Sequence, residues 1–290
     1  MIRTLILTEK EGWHFQQLKT SLEKRKHKVF SGCLSNISLS LSNNKAELFI
    51  NDAPIPEIDN VIVRFVPGGT LEEITYYLNI LKIFEGMGVR VINTAQKIES
   101  TVDKLYTSYI LSKNNLKTPN TFIFRNFKKA EKFLDNQLPK EGIVYKPLFG
   151  SQGDNVKLIK SSYELKEIEN LSNIFYFQQY LDNSINHDYR ILVIRKDETY
   201  KYFYMTRYGD SFINNVSKGG SCKKESIDKS IIDLALKASK LLNISFCGVD
   251  IMSFKNNNYI IEINSIPAWR GLQNVESEII SDHFVNLLMT

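Results

Sequence analysis

The sequence predicts a mixed α/β protein of two or three lobes, and three observations carry that reading. At 290 residues the chain is too long for one small core. Residues 2–92 alternate strand and helix signals, as a small doubly wound α/β lobe does. From residue 175 onward strand signals dominate.

Taken in order, residues 2–7 read as an apolar strand and 13–25 have helical spacing. Residues 60–65 read as a buried strand, 71–87 as a helix and 89–92 as another strand. The Asn- and Ser-rich stretch 35–59 suits an edge hairpin or an irregular connection. Residues 93–112 begin a helix-rich bridge carrying Asp103-Lys104. Pro119 starts a strand, 128–136 is helical, and strands 142–145 and 155–159 flank a glycine-containing loop. A helix at 162–170 completes that segment. Strands follow at 175–180, 189–194 and 200–206, then a helix at 226–242. A strand pair around Asp250 and Glu262 and a last helix from Val275 close the chain, which has no internal repeat.

Composition narrows the function classes. The apolar (43%) and charged (24%) fractions are those of a globular domain. No run reaches eighteen apolar residues, so no membrane span is expected. The first eight residues read as a strand and lack the features of a signal peptide. Cys33, Cys222 and Cys247 are isolated and odd in number, which points to a reducing cytoplasm without a disulfide framework or zinc site. The net charge of +5 is modest, and the Lys24–Lys28 basic run reads first as a solvated helix end. RNA-binding patterns are absent, so nucleic acid is not expected as a partner.

Two constellations carry the chemistry. Glu262 and Asn264 lie two apart on a strand, so alternation puts both oxygen-bearing side chains on one face. The Lys-Asn-Asn-Asn turn at 255–258 folds the preceding apolar run back alongside, which brings Asp250 to them. Three hard oxygen ligands without His or Cys suit Mg²⁺, which leaves positions for water and phosphates. About a hundred residues earlier, Lys146-Pro147-Leu148-Phe149-Gly150-Ser151-Gln152-Gly153 joins two strands. Glycines let backbone amides approach an anion, and the lysine adds a point charge. The loop is neither a Walker loop nor a Gly-x-Gly-x-x-Gly fingerprint. A strand–loop–strand hairpin of this kind covers phosphates from above.

These strings, with Val102-Asp103-Lys104, Phe177-Gln178-Gln179-Tyr180, Asp188-Tyr189-Arg190, Arg207, Asn214-Asn215 before Gly219-Gly220, and Glu262-Ile263-Asn264-Ser265-Ile266-Pro267, occur in an order that resembles the ATP-grasp superfamily. Within it the chain is similar to the RimK-like α-L-glutamate ligases. Gly12-Trp13-His14, Val66-Pro67-Gly68-Gly69-Thr70 and Ala268-Trp269-Arg270-Gly271 look like the subgroup associated with methanopterin-type one-carbon cofactors. The resemblance implies an ATP-grasp fold: an N-terminal Rossmann-like pre-ATP-grasp lobe (1–95), a central lobe (96–174) and a C-terminal antiparallel-sheet lobe (175–290). It implies an ATP- and Mg²⁺-dependent carboxylate–amine ligase, with Mn²⁺ as a substitute metal. The chemistry is amide formation through an acylphosphate, adding L-glutamate or another amino acid to a small one-carbon cofactor or precursor. A peptide or protein C-terminal tail is the runner-up acceptor, and an inactive nucleotide-binding sensor is the distant alternative. Homodimers or homotetramers are the assemblies the resemblance suggests.

The resemblance also implies roles. Lys104 and Lys146 meet the α/β phosphates, and Gly150, Ser151, Gln152 and Gly153 close over them. Gln179, Tyr180 and Leu181 form the inter-lobe segment that reads adenine, Asp188 is the ribose-side carboxylate, and Asn215 contacts a phosphate or a metal-bound oxygen. Asp250, Glu262 and Asn264 hold metal, and Arg207 stands near the transferring phosphoryl group as the catalytic cation. Ile213 and Lys218 replace arginines common in the family, which leaves the amino-acid substrate open. Trp13 and His14 follow the first strand, where open α/β sheets place ligands. Arg64 ends a strand and suits a substrate carboxylate. Trp269 suits stacking on a planar ligand, against the alternative of a packed loop that locks Glu262. Arg270 suits a carboxylate, and Arg190 either touches substrate or is a buried structural partner of Asp188.

Overall fold

The computed structural model describes residues 1–148, 150, 155–168, 172–182, 187–209 and 220–289. The N-terminal segment runs β1 (Arg3–Leu7), α1 (Trp13–Glu23), β2 (Lys28–Gly32), β3 (Ile37–Ser42), β4 (Lys45–Ile50), β5 (Ala53–Pro54), β6 (Asn60–Val63), α2 (Leu71–Gly86) and β7 (Arg90–Ile92). Helices α3 (Ala95–Val102) and α4 (Lys104–Lys113) lead to β8 (Thr121–Phe124), α5 (Phe127–Gln137), β9 (Ile143–Lys146), β10 (Lys157–Ile159) and β11 (Phe175–Gln179). Then come β12 (His187–Lys196), β13 (Thr199–Tyr208), β14 (Ser221–Lys223), α6 (Lys229–Leu241), β15 (Phe246–Phe254), β16 (Asn257–Asn264), α7 (Arg270–Gln273) and α8 (Ile280–Leu288).

The first sheet, β2-β1-β6-β7, is parallel throughout. Its two central strands, β1 and β6, are apolar on both faces because both faces are covered. Leu5, Leu7, Val61, Val63 and Val91 pack on α2 and α3, while Ile6, Ile62 and Ile92 point the other way. Thr70 caps α2 by accepting from Glu73 N, and the Glu73 carboxylate accepts from Thr70 N at 2.7 Å. This reciprocal pair fixes where the helix begins. Strand β2 has no counterpart in the sequence reading, because Lys28–Gly32 is a short edge strand directly after a basic run. Residues 35–59 do contain a hairpin, β3–β4, and with β5 it forms a small separate sheet.

The second sheet, order β10-β9-β11-β8, is antiparallel and backed by α5. Two expectations are corrected here. The sequence suggests a helix over 162–170, whereas Ser162–Glu167 forms a short 3₁₀ helix capped by Ser161. The strand at 175–180 was placed with the C-terminal strands, but β11 pairs with β9 and β8 and so belongs to the second sheet.

The third sheet, β14-β13-β12-β15-β16, is antiparallel. On one face Ile191, Val193, Val249 and Ile251 pack against Ile231, Ala235 and Ala238 of α6. On the other, Leu192, Ile194, Phe203, Met205 and Phe246 join a core with Phe15, Leu18 and Leu22 of α1 and Phe284, Val285 and Leu288 of α8. That core also takes Ile6, Ile62 and Ile92, so α1 and α8 lie between the first and third sheets. Arg25, in the basic run, donates to Asn286 Oδ1 and Asp282 Oδ1 and pins α1 to α8.

A buried amide strengthens the joint. Asn93 is 3% exposed and follows β7. Its Nδ2 donates to Phe246 O and Ser265 O, both at 2.7 Å, and its Oδ1 accepts from Ser245 N and Phe246 N. Asn93→Leu keeps the branching and heavy-atom count but strands these backbone groups away from water. The expected loss is roughly 3–5 kcal/mol of unfolding free energy, checked by urea denaturation.

Candidate active site

Period-two alternation divides the second and third sheets into a packed side and a cleft side. On β9, Ile143 and Tyr145 enter the core with α5, while Val144 and Lys146 line a cleft. On β11, Phe175 and Phe177 go inward, while Tyr176 and Gln178 join Val144 and Lys146. The facing wall comes from the third sheet: Asp188 on β12, Arg207 on β13, Asp250 and Met252 on β15, and Glu262 on β16. Helix α4 supplies Lys104, Thr107 and Ser108 at one side. Gln179, Tyr180 and Leu181 line the same cleft where the chain passes from the second sheet toward the third.

The lysines are placed by local structure. Asp103 caps α4 by accepting from Tyr106 N, so Lys104 is the first helical residue. Its amine donates to Gly150 O at 3.0 Å and Leu148 O at 3.4 Å, which ties it to the glycine loop. Gly150 has φ +154°, and a Cβ there would stand 3.2 Å from Pro147. Lys146 donates to Gln178 Oε1 at 2.6 Å. Burial pushes its amine down to about 8, with Glu262 and Asp250 pulling the other way. Burial lowers Lys104 as well, against the attraction of Glu262.

The acidic wall is more tightly wired than the sequence suggests. Arg207, 3% exposed, grips Asp188 through Nε–Oδ1 at 2.6 Å and Nη2–Oδ2 at 2.8 Å, and reaches Asp250 Oδ2 at 3.0 Å. Arg190 binds both oxygens of Asp250, with Nη2–Oδ2 at 2.8 Å. Burial alone would raise Asp250, but Arg190 and Arg207 outweigh it and hold the carboxyl below its usual range. Burial pushes Asp188 up against the pull of Arg207. Arg190 is thus the bidentate partner of Asp250, not of Asp188, and its guanidinium is occupied. Gly248 makes the room: a Cβ there would lie 3.3 Å from Arg190 Nη1 and 3.2 Å from Pro267 Cβ.

Asp250 pairs across the ladder with Glu262, and Gly248 with Asn264. The register shifts between Asp250 and Ile251, because Ile251 pairs with Ile260 and leaves Ile261 as a bulge. The bulge lets Ile260 and Ile263 both pack in the core with α6, with Ile260 also bordering the cleft that Glu262 lines. Unbroken alternation would have put the two isoleucines on opposite faces. Asn264 Oδ1 accepts from Ile266 N at 2.8 Å, and Asn264 does not line the cleft among the described residues. Among the described residues Glu262 makes no hydrogen bond or ion pair, so its oxygens are available. A free carboxylate opposite a second carboxylate fits a hard cation such as Mg²⁺, whereas Asn264, expected as a third ligand, has its oxygen turned to Ile266 N and is not brought into the cleft with them. The expected contributions of Ser151, Gln152, Gly153 and Asn215 lie outside the described residues.

The remaining candidates gather elsewhere. Trp13, His14, Arg64 and Trp269 cluster at the C-terminal ends of β1 and β6, with ring centroids 4.9 Å apart for Trp13–His14 and 4.5 Å for His14–Trp269. Trp269 is 1% exposed, so its ring packs on His14 and Phe246 and is not presented to a planar ligand as expected. His14 Nε2 accepts from Trp269 N at 3.0 Å, which assigns the ring proton to Nδ1. Burial, then Arg64 and Arg270, push His14 down to about 4. Arg270 is exposed. Sequence reasoning gave no role to Gln178, Ser108 and Tyr176. Gln178 holds Lys146, and Ser108 Oγ meets Tyr176 OH at 2.9 Å inside the cleft. Alternation along β11 was the available signal for Gln178 and Tyr176.

Comparison with known proteins agrees with this geometry. Residues 101–286 match the RimK-like ATP-grasp domain and residues 2–98 the RimK pre-ATP-grasp domain. The chain is 30% identical over 218 residues to a coenzyme γ-F420-2:α-L-glutamate ligase of Methanococcus maripaludis, covering 73% of this chain and 75% of that one. It is 25% identical to the tetrahydromethanopterin:α-L-glutamate ligase of the same organism, over 98% of this chain and 97% of that one. Among solved structures, a RimK domain ATP-grasp protein from Sphaerobacter thermophilus superposes with a TM-score of 0.75 at 14% identity, over 99% of this chain and all of that one. The ATP-grasp ligase PsnB, solved with a minimal precursor, Mg and ADP, gives 0.70 at 18% identity, over 99% and 97%.

Proposed function

Because the chain belongs to the RimK-like ATP-grasp family, we propose that it joins L-glutamate to a carboxylate of a small one-carbon cofactor or its precursor. It is an ATP-grasp ligase of the C–N bond-forming kind, and ATP and Mg²⁺ follow from that fold. The finer reading is supported by the sequence likeness to ligases named for tetrahydromethanopterin and coenzyme F420. The observation that carries the chemistry is one cleft lined by Lys104, Lys146 and Gly150 on one side and by Asp188, Arg207, Asp250 and Glu262 on the other.

The γ-phosphoryl group of ATP passes to the substrate carboxylate, giving an acylphosphate and ADP. The amine of the amino acid attacks the acyl carbon, and phosphate leaves as the amide forms. Phosphoryl transfer is mostly positioning and charge neutralisation. Asp250 and Glu262, with Asn264 two residues on, would hold Mg²⁺, which would supply positive charge to offset that of the phosphates; Mn²⁺ is the substitute. Lys104 and Lys146 hold phosphate oxygens, and the loop around Gly150 keeps water from the acylphosphate. Gln179, Tyr180 and Leu181 take the adenine and Asp188 lies on the ribose side. Arg207, charged and rigidly held by two acids, faces the transferring group. The setting is cytoplasmic. Among the described residues no helix is long and apolar enough to cross a membrane.

Phosphate release from Mg-ATP is expected only when acid and amine are both supplied, with hydroxamate forming when hydroxylamine replaces the amine. Release without either substrate, or none with both, overturns the reading. Isotopically labelled glutamate in a cell extract, followed by mass spectrometry, identifies the acceptor. A labelled protein in place of a labelled small molecule would shift the reading to a peptide or protein tail. Lys146→Ala is expected to weaken Mg-ATP binding about 10- to 100-fold, the range of a charge-assisted hydrogen bond. In the unmutated protein the affinity should fall as pH rises through about 8, where the amine loses its proton. Titration calorimetry across pH 6–9.5 checks both effects, and Lys146→Ala should flatten the pH dependence.

A further inference from the structure

Four buried side-chain nitrogen or oxygen atoms have no hydrogen-bond partner among the described residues, and three of them sit in one stacked pair. They are Arg64 Nε, Arg64 Nη1 and Trp269 Nε1, with the guanidinium carbon 4.6 Å from the Trp269 ring centroid. The fourth, Arg3 Nε, lies 3.5 Å from the Asp59 carboxylate and so has a charge partner. The Arg64–Trp269 atoms do not. The Arg64 side chain donates once, from Nη2 to Pro267 O at 2.8 Å, and makes no ion pair among the described residues. All three unmet atoms are donors. Native interiors seldom leave such groups unpaired, and each costs about 1–3 kcal/mol when they do.

The position matters as much as the deficit. β1 is flanked in the first sheet by β2 and β6, so the chain reverses direction of winding there. Open parallel sheets bind ligands beyond the strand ends at that point. His14 follows β1 and Arg64 follows β6. The same residues grip the exit of the metal strand, Arg64 at Pro267 O and His14 at Trp269 N. Pro267 in turn packs over Gly248 beside Arg190, the partner of Asp250.

We propose that Arg64 and Trp269 Nε1 form a carboxylate-binding subsite that anchors a substrate next to the metal strand. The assignment rests on the ligase reading, because it gives the site a substrate carboxylate to hold. A carboxylate is acceptor-only and matches a set of donors with no acceptor among them. Its entry requires the stacked pair to open slightly, and it restores the missing hydrogen bonds. The carboxylate belongs either to the acid substrate or to the incoming amino acid.

The two tryptophans of the chain both lie in this cluster, with centroids 6.2 Å apart, and neither lines the nucleotide cleft. Intrinsic tryptophan fluorescence therefore reads the subsite directly. The full chain, with Mg²⁺ and a non-hydrolysable ATP analogue, is titrated with L-glutamate, with N-acetyl-L-glutamate and with inorganic phosphate. A saturable change with glutamate alone assigns the subsite to the amine substrate, and a change with the acetylated probe assigns it to the acid. Either should weaken at least tenfold in Arg64→Gln and in Arg64→Lys, with affinity for the ATP analogue unchanged within about twofold. No saturable change with either carboxylate, an equal response to phosphate, or unaltered binding in both variants overturns the assignment. Loss of analogue binding in the unmutated protein would instead count against the ligase reading.

Discussion

Glu262→Gln should lower the rate of ADP formation under saturating substrates by about two to three orders of magnitude, while the melting temperature stays within a degree or two. The magnitude is that of removing one preorganised charge from a transition state, about 3–4 kcal/mol. The unchanged stability follows from the free state of the side chain. Glu262 has no hydrogen bond or ion pair among the described residues, so the amide replaces a carboxylate that holds nothing in place. Its backbone pairing with Asp250 is untouched by the substitution. Raising Mg²⁺ should recover part of the lost rate if the carboxylate acts by holding metal. Wild-type turnover at ordinary Mg²⁺ would remove Glu262 from the machinery.

Asp250→Ala should be different in kind. Asp250 is 6% exposed and is the shared partner of two guanidiniums. Removing it leaves Arg190 without a carboxylate and Arg207 with only Asp188. A broken buried ion pair costs about 3–5 kcal/mol, because the remaining charge cannot be rehydrated. Turnover should vanish and the urea midpoint should fall together. The pair of substitutions separates the two halves of the acidic wall: Glu262 is expected to act without supporting the fold, and Asp250 to do both. Equal destabilisation by the two would mean that the charge network described around Asp250 is not its real environment.

How much of this was readable in the chain depends on range. Strand alternation marked Glu262 with Asn264, the turn at 255–258 brought Asp250 alongside and the glycine loop marked Lys146, all local signals, although Asn264 does not line the cleft among the described residues. The glycine loop announced itself by composition. The bulge at Ile261 did not, since Ile260-Ile261-Glu262-Ile263 reads as an ordinary strand and only pairing with β15 reveals the extra residue. Asp188, two residues away, is the partner that sequence suggests for Arg190, because finding Asp250 instead requires the β12–β15 register, in which the two stand opposite each other. Asn93 carried no signal at all, because its four partners are backbone groups more than 150 residues away. Trp269 misled because an aromatic after a metal strand suggests a ligand platform, whereas Phe246, His14 and Arg64 enclose it.

The core that α1 and α8 share between the first and third sheets limits how this protein can be recombined with its relatives. Residues near both chain ends interdigitate there, Phe15, Leu18 and Leu22 with Phe284, Val285 and Leu288. A chimera that exchanges only the leading lobe, to redirect which acid is accepted, would bring one parent's knobs against the other parent's holes. The final helix has to travel with the first, so the leading lobe is transplanted as two distant cassettes and not as one.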